Sequence, residues 1–396
     1  MAQIAFEDIA FEGKGEGMKG TFLRMFSFSL KREELERIGK YSVSPAGISF
    51  PEITQDRAER KFNQLLFSAF SGLTNKLNGK RTIYLHSHSG IPLIGNGGFG
   101  IIDRGTNLIE LKPISSCNIK CVYCSVDEDK RNVDVIIEKE YLIQELKKVI
   151  KEKGVSGIEC QITSQGEPTL YSPLAELIRD IKDIPRVSRI SIITNGVLLT
   201  KSTVDKLCDA GLTRVNVSIN ALDKALAKKI AGTQYDIERV KDIARYLAKK
   251  VDLIICPVLV PGMNDEEMPK IIAFAEGIGA DIGIQNFLPY RFGRNPVRPI
   301  EFPSFYEKLR EWQKDTKLKL IKSKEDFGIV DANELPKPFR KGEVIEAEIV
   351  FPGRFPREMI AVAQERTISV PNCSKTGKVR LKITRTKHNI FIGALA

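Results

Sequence analysis

The chain contains no run approaching the roughly 20 uninterrupted apolar residues that a membrane-spanning helix requires. Its opening residues, MAQIAFEDIAFEGKGEG, lack the basic start and apolar stretch of a secretory signal. No fixed-period repeat and no low-complexity tract is present. Its 7 cysteines are odd in number and unevenly spread, so the paired, dispersed pattern of a disulfide framework is missing too. These absences lead to the expectation of a cytoplasmic protein with no membrane partner.

What is present points to a large enzyme-like body. At 396 residues the chain exceeds one ordinary small domain, which implies a main body with appended modules. A hydrophobic share of 42% is enough for a well-buried core. The net charge of +11 favours polyanionic partners, and its distribution is uneven. Residues 337–396 hold 12 Lys and Arg against 5 Asp and Glu, a net +7, leaving +4 for the rest of the chain.

Three regions differ in texture. Residues 1–105 read as an N-terminal α+β extension. Its helix, 53–77, carries Phe62, Leu65, Leu66, Ala69, Phe70 and Leu73 on one side. RTIYLHSHSGIPLIGNGGFGIIDRGTN follows as a β hairpin or small sheet, with Gly95-Asn96-Gly97-Gly98 in a hairpin turn and His86 and His88 on one side of a strand. Residues 106–330 alternate apolar strands (108–113, 157–163, 189–194, 214–219, 251–260, 282–288) with amphipathic helices (139–153, 173–182, 202–210, 237–250, 265–277, 303–314). That alternation predicts the α/β class and a partial (β/α)6 parallel barrel, with functional residues at the carboxyl ends of its strands. After a proline-containing linker at 334–338, residues 337–396 read as short strands forming a small five-stranded β-barrel.

Four cysteines, Cys160, Cys208, Cys256 and Cys373, stand alone, and the first three read as packing thiols. Cys117, Cys121 and Cys124 instead crowd into ELKPISSCNIKCVYCSVDE as C-x3-C-x2-C, directly after the first barrel strand. Thiolates normally hold each corner of a four-iron cubane, so three ligands leave one iron open. A zinc site is the alternative, and it would need a fourth ligand from afar, such as His86 or His88. No second cysteine cluster is present to hold an auxiliary centre, which argues against sulfur insertion.

The cysteine loop closely resembles that of the radical S-adenosylmethionine (SAM) superfamily, where an aromatic commonly precedes the third cysteine, as Tyr123 does here. The resemblance extends over about 107–320. It implies a [4Fe–4S] cluster on Cys117, Cys121 and Cys124 whose open iron chelates the SAM amine and carboxylate, so that one electron releases a 5′-deoxyadenosyl radical. Gln165-Gly166-Glu167-Pro168 after the second strand is similar to the family's Gly-Gly-Glu motif, with Gln165 in place of the first glycine. By that likeness Gly166 and Glu167 hold the methionyl ammonium. Thr194 and Asn195 would lie near the cofactor, Ser218 and Asn220 would bond its carboxylate or ribose, and the fifth and sixth strands, with Cys256-Pro257-Val258 and Gln285, would face the adenine.

In the C-terminal region, KVRLKITRTKHNIFIGAL alternates charge and apolarity, placing Lys378, Arg380 and Lys382 on one strand face and Val379, Leu381 and Ile383 on the other. With Arg385 and Lys387 these form a candidate RNA surface of the oligonucleotide-binding type, and the stretch containing Asn389 and Phe391 resembles the TRAM domain. An edge strand guarded by lysines is the plainer alternative. The combined reading is a radical SAM enzyme modifying an RNA nucleoside, on tRNA, reduced by ferredoxin or flavodoxin. The alternatives are a radical SAM enzyme for a peptide, lipid or small metabolite, and a non-catalytic iron–sulfur RNA-binding redox sensor.

Overall fold

The computed structural model describes residues 1–14 and 17–396, and these form two compact units. The first comprises Met1–His86 and Asn132–Ile136, and the second Ser87–Arg131 and Ile137–Ala396.

In the first unit a six-stranded sheet runs in the order Val133–Ile137, Arg81–Leu85, Thr74–Asn75, Phe26–Lys31, Gly17–Phe22, Ile9–Lys14. A three-stranded sheet of Ala2–Ala5, Gly47–Phe50 and Ser42–Ser44 accompanies it. The helix expected at 53–77 is Gln55–Phe70, and it buries Ala58, Phe62 and Leu66. Phe62 is wholly buried, with Phe6, Phe11 and Phe50 rings 6.0–6.3 Å away. Asp134, brought in by the returning strand, is held by Asn75 Nδ2 at 2.6 Å and Asn78 Nδ2 at 2.9 Å.

The second unit is built on a seven-stranded sheet. Six members are parallel: Leu108–Lys112, Ile158–Ile162, Val187–Thr194, Arg214–Val217, Asp252–Ile255 and Asp281–Ile282. Helices between them start and stop where the sequence provides caps. Thr200 Oγ1 accepts from the Thr203 amide at the start of Lys201–Ala210, and Gly211, at φ 117°, ends it. Asp223 and Asp236 cap Lys224–Ala231 and Ile237–Leu247 in the same way.

Between 81 and 107, where a β hairpin or small sheet is expected, the two strands join different sheets. Arg81–Leu85 joins the first unit's sheet, whereas Gly100–Asp103 pairs antiparallel with Leu108–Lys112 as the seventh strand. His86 and His88 lie beyond the strand end, so they do not alternate along it, and His86 stacks on Tyr84 at 5.4 Å. The glycine run also does something other than turn a hairpin. A closed five-stranded barrel, Val344–Pro352, Glu358–Ala363, Arg366–Pro371, Ile392–Leu395 and Gly377–Arg385, seats itself on it. Thr367 N donates to Ile94 O and Phe391 N to Gly95 O, both at 2.9 Å. Gly95 has φ 125°, and a Cβ there would lie 2.0 Å from Thr367 O, so only glycine permits the approach.

A buried ion pair ties this arrangement together. Lys153 Nζ meets Asp103 Oδ1 at 2.7 Å with both side chains fully buried. Asp103 also accepts from the amides of Gly105 and Leu335, the latter at the entry to the small barrel. Lys153→Met is expected to destabilise the protein by about 3–5 kcal/mol, because it strands a buried carboxylate. A denaturant midpoint measurement checks this.

Candidate functional site

The cysteine loop leaves the first parallel strand and is pinned from several sides. Lys120 N donates to Ala231 O and Val122 N to Ile230 O, both at 2.9 Å, at the end of the Lys224–Ala231 helix. Gly232 then crosses so closely that a Cβ would stand 2.0 Å from Lys120 O. Arg294 N donates to Cys124 O at 2.8 Å, and its guanidinium reaches Cys121 O at 3.4 Å and Asp129 at 3.0 Å. Beneath the loop, Arg131 donates to Ser115 O, to Gln165 O at 2.9 Å and to Glu128 at 3.1 Å. The loop conformation is therefore fixed by the protein itself.

Cys117, Cys121 and Cys124 are all half-buried. Burial pushes their thiols up, that of Cys121 to about 12. Incoming iron must therefore displace protons to hold thiolates. Among the described residues no group of three or more His, Cys, Asp or Glu is gathered to hold a single metal ion.

The strand ends converge on the same place. Glu167 is buried and its carboxylate is densely used: Oε1 accepts from Thr169 N, Thr169 Oγ1 and Thr194 Oγ1, and Oε2 from Asn195 N at 2.8 Å. Burial raises its pKa while these donors oppose the rise. It thus ties the second strand end to the third. Gly166 lies where a Cβ would fall 2.0 Å from Ser116 O, so the motif backbone packs against the cysteine loop only because this residue is glycine. Asn195 Nδ2 donates to Asn118 Oδ1 at 2.8 Å, inside the C-x3-C segment. Asn220 Nδ2 donates to the Tyr123 hydroxyl at 2.7 Å, and its Oδ1 accepts from Val258 N at 2.8 Å.

All eight candidate cofactor residues, Tyr123, Gly166, Glu167, Thr194, Asn195, Ser218, Asn220 and Gln285, line one 330 Å³ cavity together with the three cysteines. The donor set suits the expected groups. Three thiols stand at one end, and Gln165 Oε1 is a buried acceptor with no hydrogen-bond partner, matched to an ammonium. The glycine-to-glutamine departure thus adds an acceptor where the family motif has none.

Several contributors have no individual role in the sequence reading, Asn264 falling within the 260–265 stretch after the fifth strand that resembles an adenine-facing segment. Asn264, almost fully buried, donates to Asn220 O and Val258 O and accepts from Val260 N, joining the fourth and fifth strand ends. The Tyr235 hydroxyl donates to Asn195 O at 3.2 Å. Arg294 sits on a loop after the sixth strand, and Phe292 of that loop stacks on Phe355 of the small barrel at 4.2 Å. The segment YRFGRNP offered a turn and some charge, without a motif to mark it.

The basic residues lie elsewhere. Lys378, Arg380 and Lys382 are exposed on the Gly377–Arg385 strand, with Val379, Leu381 and Ile383 buried opposite. Across the ladder, however, Lys378 faces Glu348 and Arg380 faces Glu346, so this face carries both signs. Arg385 is exposed on the same strand, and Lys387 opens the Lys387–Asn389 turn. Asn389 is buried and donates to Leu335 O, and Phe391 is wholly buried against Phe339 at 5.2 Å. Phe391 belongs to the barrel's core, and Asn389 ties the turn before it to the linker.

The radical SAM superfamily model matches residues 111–275. Uncharacterized protein MJ0103 of Methanocaldococcus jannaschii is 36% identical over 369 residues, 84% of this chain and 85% of its own length. A probable GTP 3′,8-cyclase of the same organism is 35% identical over 193 residues, 48% of this chain and 61% of its own, so less than two thirds of that relative is spanned. Among solved structures, Streptococcus suis SuiB bound to S-adenosylmethionine shares 16% identity at a TM-score of 0.44, over 80% of this chain and 72% of its own. No helix among the described residues is long and apolar enough to cross a membrane. Radical SAM proteins use a [4Fe–4S] cluster and SAM, and the chain belongs to that superfamily, in the family it shares with MJ0103.

Proposed function

We propose that this protein reductively cleaves SAM and directs the resulting radical at a small molecule. The observation that carries the reading is the single cavity in which three thiols meet the carboxyl ends of the parallel strands. A cluster held by Cys117, Cys121 and Cys124 would pass one electron to SAM and yield a 5′-deoxyadenosyl radical. The chain's own residues do the positioning. Glu167 fixes the Thr194–Asn195 turn, Gln165 offers an acceptor to the methionyl ammonium, and Asn220 and Tyr123 brace the wall beside the third cysteine. Arg294, paired with Asp127 and Asp129, holds the loop through Cys121 O.

The small-molecule reading is preferred to tRNA because Glu346 and Glu348 stand opposite Arg380 and Lys378, which leaves fewer free cations on that strand face for a phosphate backbone. Similarity to a probable GTP 3′,8-cyclase over the catalytic half points the same way. The test is anaerobic: reconstituted protein with dithionite and SAM is expected to release 5′-deoxyadenosine, and its absence would overturn the proposal. Reversing charge at Lys378, Arg380 and Lys382 together is expected to leave that release unchanged and to alter tRNA affinity less than twofold in a salt titration. A tenfold drop in affinity would restore the polynucleotide reading.

A further inference from the structure

Beyond the cluster-side cavity the seven-stranded sheet and the segments after it line a second one of 440 Å³, and the two share Ile193, Cys256 and Gln285 in their walls. The two spaces therefore adjoin. The second is lined mainly by apolar side chains, among them Leu108, Ile254, Phe305 and Leu309. Period-two alternation brings Glu159 and Gln161 into it from the second parallel strand and Arg214 and Asn216 from the fourth, with Gln285 and Lys322 beside them; Glu159 is already paired with Arg189 and Arg214, and Lys322 with Asp281.

Gln161, Arg214 and Asn216 are underused. Arg214 Nη1 reaches Glu159 and Phe327 O only at 3.3 Å, and Nη2 lies 3.7 Å from Asp252, whose side chain is 63% exposed. Its Nε is buried without a hydrogen-bond partner. The side-chain amides of Gln161 and Asn216 make no hydrogen bond among the described residues, although Asn216 is 7% exposed. Buried polar groups in folded proteins are almost always hydrogen-bonded, and a mostly apolar cavity with a few convergent polar groups is the usual form of a small-molecule site. Glu159 already serves Arg189, Arg214 and the Ser191 hydroxyl, so Arg214 shares its nearer carboxylate with a second guanidinium.

We infer that this inner cavity binds the substrate, and that the substrate is a small anion, a carboxylate or phosphate, bearing an amide-like donor–acceptor edge. The anion lies on Arg214, where a guanidinium can offer Nε and Nη2 as a fork. The edge pairs with Gln161 and Asn216, since each amide presents a donor and an acceptor. The shared wall at Cys256 and Gln285 then turns the opposite end of the molecule toward the cluster-side cavity. This assignment rests on the small-molecule reading above and gives it a chemical class.

Saturation-transfer NMR on the reconstituted protein tests it with four probes. Orotate carries both a carboxylate and an imide edge, uracil the edge alone, benzoate the carboxylate alone and phenyl phosphate the phosphate alone. Orotate is expected to bind at least tenfold more tightly than uracil or benzoate, and the ratio of phenyl phosphate to benzoate reports which anion is preferred. Arg214→Met and Asn216→Leu, made separately, are each expected to weaken orotate at least tenfold while SAM binding and substrate-free release of 5′-deoxyadenosine stay within twofold. Absence of orotate binding, as for a cavity holding ordered water only, overturns the assignment, as does orotate binding that neither variant changes. Loss of 5′-deoxyadenosine release by the unaltered protein is a different failure, and it strikes the radical reading itself.

Discussion

Replacing any one of Cys117, Cys121 or Cys124 with alanine is expected to remove the iron–sulfur cluster, taking iron from about four atoms per chain to near zero. Two thiolates cannot hold a cubane against dissociation, and the other ligand-type groups lining the pocket are committed elsewhere: Glu167 to four donors, Glu128 to Arg131, and Cys256 to the wall shared with the inner cavity. The surrounding loop should survive the change. Its hydrogen bonds to Ala231, Ile230 and Arg294 run through backbone atoms that alanine retains. Cys160→Ser and Cys208→Ser provide the control: Cys160 is wholly buried on the Ile158–Ile162 strand and Cys208 sits on the Lys201–Ala210 helix, so both variants are expected to keep their iron. Iron analysis and the visible spectrum after anaerobic reconstitution decide the matter. A single alanine variant that retained a full complement of iron would remove the basis for the three-thiol centre. Because burial raises these thiols, iron uptake releases protons, and reconstitution becomes more complete as the pH is raised.

Glu167→Ala is expected to have the next largest effect, and on two measurements at once. Its carboxylate accepts four hydrogen bonds in a buried setting, so alanine leaves the amides of Thr169 and Asn195 and two threonine hydroxyls without their acceptor. Each buried donor left unmet costs about 1–3 kcal/mol, and partial refilling by water brings the expected total to about 2–4 kcal/mol. The Thr194–Asn195 turn then loses its anchor to the second strand, and SAM affinity is expected to fall at least tenfold. Glu167→Gln keeps one acceptor oxygen and should show a smaller loss of both. Equilibrium unfolding and calorimetric titration with SAM separate the effects. Lower stability with unchanged SAM affinity would make Glu167 a purely structural brace.

The alternation of strands and helices from Leu108 onward was plain in the sequence because each parallel strand is an apolar run and each helix carries an apolar stripe and a cap. The helix Lys224–Ala231 is missing from the sequence reading because it is only eight residues long, although it pins the cysteine loop. In the site, residues with a recognisable motif were legible, and those acting through a backbone carbonyl were not. Asn264 and Tyr235 hold neighbouring strand ends by bonding main-chain oxygens, and no spacing rule announces such a contact. The glycine run at 95–98 was misread for a related reason. Its local chemistry favours a turn, and only the distant Thr367 and Phe391 reveal why a side chain is excluded. The basic strand was read correctly in its faces, yet its glutamate neighbours lie 30 or more residues upstream and meet it only through sheet pairing.

One strand has a consequence for how the polypeptide can be made and cut. Val133–Ile137 sits beside Arg81–Leu85 at the edge of the N-terminal sheet, although it is encoded after all three cluster cysteines. During synthesis that sheet cannot acquire its last member until the thiols have already left the ribosome, so completion of the amino-terminal unit follows exposure of the iron ligands. A shortened polypeptide starting at residue 87 would carry the orphaned strand with nothing to pair with, presenting bare amides and carbonyls of the kind that promote edge-to-edge association. Trimming the front of this protein is therefore also a cut into its middle.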